Sequence, residues 1–252
     1  MFALIGGHTY KDKINNKIEK ELVRLTKKDK PIILFCPFAS LDIEKTNLKF
    51  KSLIDDINAD IIYLNFENVF KFEELLIKSD IFYIAGGISD DLINIFKKYG
   101  LDKILLKHIF DDKIFAGISA GAMLYTYRAL GDKYMFIDNF HNYNYKMVNC
   151  LNYLNITICP HYQNEDLIIF NDILKEYNKD AFGIEDETCI IIDENKFFVI
   201  KGEGKASIYY FSKDNDYKMV PLYEGIIYEK NSSFRSWRHI LWCCFKKIFK
   251  TN

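Results

Sequence analysis

Five short runs of almost unbroken hydrophobicity, separated by charged stretches, constrain this chain more than any other feature. MFALIGG, PIILFCPFAS, DIIYLNF, IFYIAGG and KIFAGIS follow one another through its first half. A strand with one face in water alternates apolar and polar residues. A run without polar gaps suits a strand covered on both faces, as in a parallel sheet. The stretches between the runs have helical spacing, from Lys13 to Lys28, Ile43 to Asn58, Phe72 to Lys78 and Asp90 to Lys98. Strand–helix alternation of this kind predicts a doubly wound, mostly parallel α/β sheet. Further on, ITICPHY precedes a predicted helix near Glu165 to Tyr177. ETCIIID, KFFVIK, ASIYYF and YKMVPLY then come close together, linked by turns. They predict antiparallel hairpins added to the sheet edge or packed beside it. With no internal repeat or low-complexity linker, residues 1–228 are expected to form one α/β domain.

Residues 229–252 read differently. From Phe234 onward the tail carries Arg235, Arg238, Lys246, Lys247 and Lys250 among Trp237, Trp242, Phe245 and Phe249, without an acidic residue. The pattern is that of a basic amphipathic helix, which packs on its own domain or lies on an anionic membrane. Packing on the domain is the expectation, since one apolar face is the norm for globular helices.

Composition removes several function classes. The 252 residues hold 34 Lys+Arg against 35 Asp+Glu, a net charge of −1, without the basic footprint of a nucleic-acid binder. No apolar run reaches the roughly 18–20 residues that span a bilayer, and the N-terminus lacks the form of a signal peptide. The six cysteines form no CxxC pair and mostly sit in apolar runs, so neither a disulfide scaffold nor a metal site is expected. These features together predict a cytoplasmic protein. The sequence leaves the oligomeric state open.

Chemistry concentrates at Gly117-Ile118-Ser119-Ala120-Gly121. Here an apolar strand gives way to AGAMLYTYR, a predicted helix, which is the strand–turn–helix setting of a nucleophile elbow. Bulk at the flanking positions would clash with strand or helix, and the sharp turn exposes the serine hydroxyl. The backbone N–H of Ala120 then faces the place where an oxyanion would form. Ile84-Ala85-Gly86-Gly87 ends another strand, and the Gly87 N–H is a candidate second donor.

A serine nucleophile needs a base. His8, His108 and His239 are less suited by position. His161 closes the run ITICP at a strand's carboxyl edge, where open α/β sheets bind ligands. His141 is the runner-up. The orienting acid is expected in Glu185-Asp186-Glu187, where three adjacent carboxylates repel and at least one needs a partner. Asp186 is the first choice, with Glu185, Asp132 and Asp138 as alternatives.

In chain order IFYIAGG, AGISAGAMLY, CPHYQNE and FGIEDETCIIID resemble the peptidase E family of serine peptidases, over roughly residues 1–212. That family includes aspartyl dipeptidases and cyanophycinase. The resemblance implies a flavodoxin-like fold similar to class I glutamine amidotransferases, with serine in place of cysteine at the elbow. It implies Ser119 as nucleophile, His161 as base, and Gly87 and Ala120 as oxyanion donors, with no metal or organic cofactor. The dipeptidase branch would take its acid from Asp132 or Asp138, the cyanophycinase branch from Asp186, with Glu185 adjacent. The implied substrate is a small peptide, a dipeptide with an N-terminal aspartyl or similar residue. The chain departs from the family where Gly86-Gly87-Ile88-Ser89 replaces Gly-Gly-Asn-Thr. The rival readings are an esterase or thioesterase using the same elbow, and a non-catalytic binding protein of the same fold.

Overall fold

The computed structural model describes residues 1–8, 15–131, 145–162, 169–170, 172–174, 181–194, 196–202, 205–211, 217–230 and 237–241. The first half alternates as the sequence predicts. In chain order come β1 (Phe2–Ile5), α1 (Lys17–Leu25), β2 (Ile32–Cys36), α2 (Ile43–Leu53), β3 (Asp60–Tyr63), α3 (Phe72–Lys78) and β4 (Ile81–Ile84). They are followed by α4 (Ser89–Lys98), α5 (Leu101–His108), β5 (Ile114–Ile118) and α6 (Ala120–Leu124). The second half holds β6 (Thr126–Gly131), β7 (Lys146–Asn149), β8 (Leu154–Pro160), β9 (Ala181–Ile184) and β10 (Thr188–Asp193). It closes with β11 (Lys196–Lys201), β12 (Ala206–Phe211), β13 (Tyr217–Leu222), β14 (Ile226–Lys230) and β15 (Trp237–Leu241).

Two sheets result. The larger runs β15-β14-β11-β10-β1-β5-β4-β2-β3, and its five strands from β1 to β3 are mutually parallel. The smaller runs β13-β12-β9-β8-β6-β7. The unbroken apolar runs now have their explanation. Alternate residues of one strand enter different cores, so Leu34 and Cys36 face one side of the sheet while Ile33 and Phe35 face the other. One core contains Ile18 and Leu22 of α1 with Phe50 and Leu53 of α2. The opposite core takes residues of α3 to α6 and of the second sheet.

The hairpins divide between the sheets. β10, β11, β14 and β15 extend the large sheet antiparallel, whereas β12 and β13 join β9 in the small one.

Two local expectations are corrected. The helix begun at Ala120 ends at Leu124, and Thr126–Gly131 is a strand pairing with β7 and β8. Tertiary pairing of Thr- and Tyr-bearing backbone overrides the helix pattern there. In the tail, Trp237–Leu241 is strand rather than helix. It pairs with β14 from Lys230↔Trp237 to Ile226↔Leu241, which satisfies backbone groups that β14 would otherwise leave open. Residues 231–236 and 242–252 lie outside the described residues, as does most of the helix expected near 165–177.

Candidate active site

Strand order gathers the site. β1, β5 and β4 are neighbours, so the turns after them stand side by side at one edge: Gly6-Gly7-His8, Ser119, and Gly86-Gly87. β10 runs antiparallel beside β1, with Ile5 opposite Cys189, which brings the preceding Glu185-Asp186-Glu187 to the same edge. β8 and β9 lie parallel, and His161 follows the first as Glu185 follows the second.

Ser119 sits at φ +53° and ψ −118°, a conformation that costs a side-chain-bearing residue on the order of 1–3 kcal/mol. The flanking glycines permit it. A Cβ on Gly117 would run into the backbone of Gly121, and one on Gly121 into the Ile84 carbonyl. His161 and Glu187 also take positive φ, at +53° and +56°. The turn after β4 is as tight. Gly87 has φ +146°, and a Cβ there would strike the Ala39 carbonyl.

The side chains converge on one line. His161 Nε2 lies 2.8 Å from Ser119 Oγ, and His161 Nδ1 lies 2.6 Å from Asp186 Oδ1. A carboxylate only accepts, so Nδ1 carries the proton given to Asp186 and Nε2 is left to accept from the serine hydroxyl. Gly7 backs this line. A Cβ on it would collide with Asp186 Oδ1 and the His161 ring. The Ser119 N–H is bonded to the Ile5 carbonyl at 2.9 Å and is spent. The Ala120 N–H opens α6, where helix geometry provides no internal acceptor.

The alternative acids fare differently. Glu185 Oε2 accepts from the Lys205 N–H at 3.1 Å, away from His161. Asp132, Asp138 and His141 lie outside the described residues.

Glu187 belongs to a cluster that sequence reading passed over. Its Oε1 lies 3.4 Å from His8 Nδ1, an ion pair longer than a well-aligned hydrogen bond. His8 Nε2 meets Glu19 Oε1 at 3.0 Å, and the Tyr83 hydroxyl donates to the same oxygen at 3.0 Å. Burial by itself would lower the His8 pKa, but its contacts with the Glu19 and Glu187 carboxylates raise it to about 10. His8 is therefore an imidazolium at neutral pH. The only sequence signal was the crowding of three acids. Their partners come from three different parts of the chain.

A cavity of about 660 Å³ opens beside Ser119, Gly86 and Gly87. Residues of α2 line it as well, and that helix is capped by Asp42, whose carboxylate accepts from the Lys45 N–H at 3.0 Å. Among the described residues no group of three or more His, Cys, Asp or Glu is arranged to hold a metal ion. No helix among them is long and apolar enough to cross a membrane.

Comparison with known proteins agrees with this architecture. The chain is 25% identical over 170 residues to Uncharacterized peptidase YgaJ of Bacillus subtilis, covering 66% of this chain and 69% of that protein. It is 32% identical over 91 residues to Uncharacterized peptidase Lmo0363 of Listeria monocytogenes, covering 34% and 42%. Among solved structures, a peptidase from an acI-B1 Actinobacterium matches with a TM-score of 0.63 at 18% identity, over 91% of this chain and 96% of that one. A peptidase E protein from Listeria monocytogenes matches with a TM-score of 0.58 at 20% identity, over 80% and 98%. At such identities the solved structures speak for the fold. The Peptidase family S51 model matches residues 1–200, and on that match the chain belongs to Peptidase family S51 and is a serine-type peptidase.

Proposed function

We propose that this protein hydrolyses small peptides of dipeptide size through Ser119, His161 and Asp186. The observation that carries the reading is the continuous line from the serine hydroxyl through the imidazole to a carboxylate, at 2.8 and 2.6 Å. Ser119 Oγ attacks the carbonyl carbon as His161 Nε2 takes its proton. The same nitrogen returns that proton to the leaving amine, and water then hydrolyses the acyl-enzyme. Asp186 holds the imidazole in the required tautomer and balances the imidazolium. The N–H groups of Gly87 and Ala120 meet the oxyanion. A recessed cavity at a sheet edge suits a short peptide better than a folded protein, and its walls rather than the triad choose the side chain. The buried thiols of Cys36 and Cys189, neither of them in a disulfide, suit a reducing cytoplasm.

The test is amine release from a dipeptide panel by wild type and Ser119→Ala, with folding matched by circular dichroism. Wild type is expected to cleave, and the variant to lose about 10⁴–10⁶-fold in kcat. Equal rates in the two proteins, or cleavage by neither, would overturn the reading.

A further inference from the structure

The cavity that Ser119 lines also has an aromatic wall. Phe35 of β2 stacks on Phe50 of α2 with centroids 3.9 Å apart, and Phe50 meets Tyr83 of β4 at 4.9 Å. All three line the cavity, with Leu53 and Ile118 beside them. Tyr83 points its hydroxyl away into the bond with Glu19, which leaves its ring as apolar wall. Leu41 and Leu48, 72% and 68% exposed, add apolar surface to the same lining.

The charges on the lining point the same way. An aspartyl side chain taken into this cavity would need a buried cation to replace its water. Among the described lining residues His161 is engaged with Asp186, and His8 lies between Glu19 and Glu187. Two carboxylates facing one imidazolium repel a third. Lys45 and Lys49 stand on the exposed face of α2, where water screens them. At the turn after β4, Ile88 is 4% exposed and offers a further apolar surface to the cavity.

We infer that the cavity beside Ser119 receives an apolar N-terminal side chain of the Leu, Met or Phe class rather than an aspartyl one. The inference rests on the peptidase reading above and specifies its substrate. It departs from the preference that the family resemblance implies.

The experiment compares kcat/KM for Phe-Gly, Leu-Gly, Met-Gly, Ala-Gly and Asp-Gly with the full-length protein. Titration calorimetry of Ser119→Ala with Phe-Gly and Asp-Gly reads binding without turnover. Phe-Gly and Leu-Gly should exceed Asp-Gly by at least roughly tenfold in kcat/KM, the discrimination ordinarily available to an apolar pocket. The Ser119→Ala protein should bind Phe-Gly the more tightly. Phe50→Ala should lower the rate on Phe-Gly several-fold more than the rate on Ala-Gly. Because Phe50 is 4% exposed and its loss threatens folding, Leu48→Ser is the companion variant. It is expected to weaken Leu-Gly and Phe-Gly at no folding cost. Ser119-dependent cleavage that favours Asp-Gly, or is indifferent to the side chain, would overturn this inference and leave the peptidase reading standing. An Asp-Gly preference abolished by Lys45→Ala/Lys49→Ala would overturn it too, and would put the recognition on α2. Absence of cleavage of every dipeptide by wild type would instead remove the reading beneath it.

Discussion

Two histidines meet carboxylates at the same edge of the large sheet, one residue apart in their partners, and their surroundings differ completely. His161 pairs with Asp186, and their side chains are 41% and 18% exposed. His8 pairs with Glu187 and Glu19, at 6%, 4% and 3%. The first pair leaves one imidazole nitrogen turned toward a serine in a cavity that a substrate can enter. The second spends both nitrogens on carboxylates, and its imidazolium is fixed by them. Imidazole and carboxylate are common to both. In the proposed mechanism, burial and the number of carboxylates decide whether the histidine exchanges a proton during the reaction or serves as a charged tie between β1, α1 and the segment before β10.

Removing the acid from the open pair should have the largest effect. Asp186→Asn keeps the size of the side chain but offers an amide that can donate to Nδ1. That would leave the proton on Nε2, where the serine hydroxyl needs an acceptor. A loss of about 10⁴-fold in kcat is expected, with KM changing little. A loss below tenfold in steady-state kinetics would detach Asp186 from the reaction and erase the difference between the two pairs.

The buried pair should answer to pH through stability instead. The His8 pKa is raised from 6.5 to about 10 in the folded protein, so its stabilising contribution is complete below pH 6.5. It drains away as pH rises through the folded value. Glu19, Glu187 and the Tyr83 hydroxyl are the groups that face this tie. In urea titrations His8→Gln should be less stable than wild type by about 3–5 kcal/mol at neutral pH, as when one partner of a buried ion pair is lost. That gap should narrow as pH approaches about 10, where wild type loses the charge as well. Folded His8→Gln should retain far more activity than Asp186→Asn. A stability gap independent of pH would show that His8 carries no charge of consequence.

The large sheet was legible because a strand buried on both faces leaves a mark that survives without neighbours. Ile33 to Cys36 and Ile81 to Ile84 need no partner to read as such. Ser119 was legible for a related reason, since the glycines that surround it answer to local backbone crowding. Thr126–Gly131 and Trp237–Leu241 were not, because what makes them strands is an open edge supplied by residues far away in the chain. His8 shows the same limit within the site. It is one unremarkable histidine after two glycines until Glu19 arrives from α1 and Glu187 from the turn before β10. The aromatic wall of the cavity was equally hidden, since Phe35, Phe50 and Tyr83 each satisfy the period of their own element and only folding brings them to the cavity that Ser119 lines.

The smallest effect sharpens the comparison from the third neighbour. Glu185 stands beside both histidine partners and touches neither ring. Its carboxylate accepts the Lys205 N–H at 3.1 Å. A glutamine there retains a carbonyl acceptor for that bond, and the site is partly open to water. Glu185→Gln should therefore change stability, and transition-state stabilisation read from kcat/KM, by less than about 0.5 kcal/mol each. The acids of this segment are in the opposite order to the pattern that the family resemblance suggests, which makes Glu185 the natural rival of Asp186. A hundredfold loss of kcat in Glu185→Gln, beside a mild Asp186→Asn, would transfer the role to Glu185. It would require the turn before β10 to rotate by one residue when substrate binds, and that rotation would also pull Glu187 from His8. The two pairs would then be mechanically coupled, where the present geometry keeps the open one and the buried one independent.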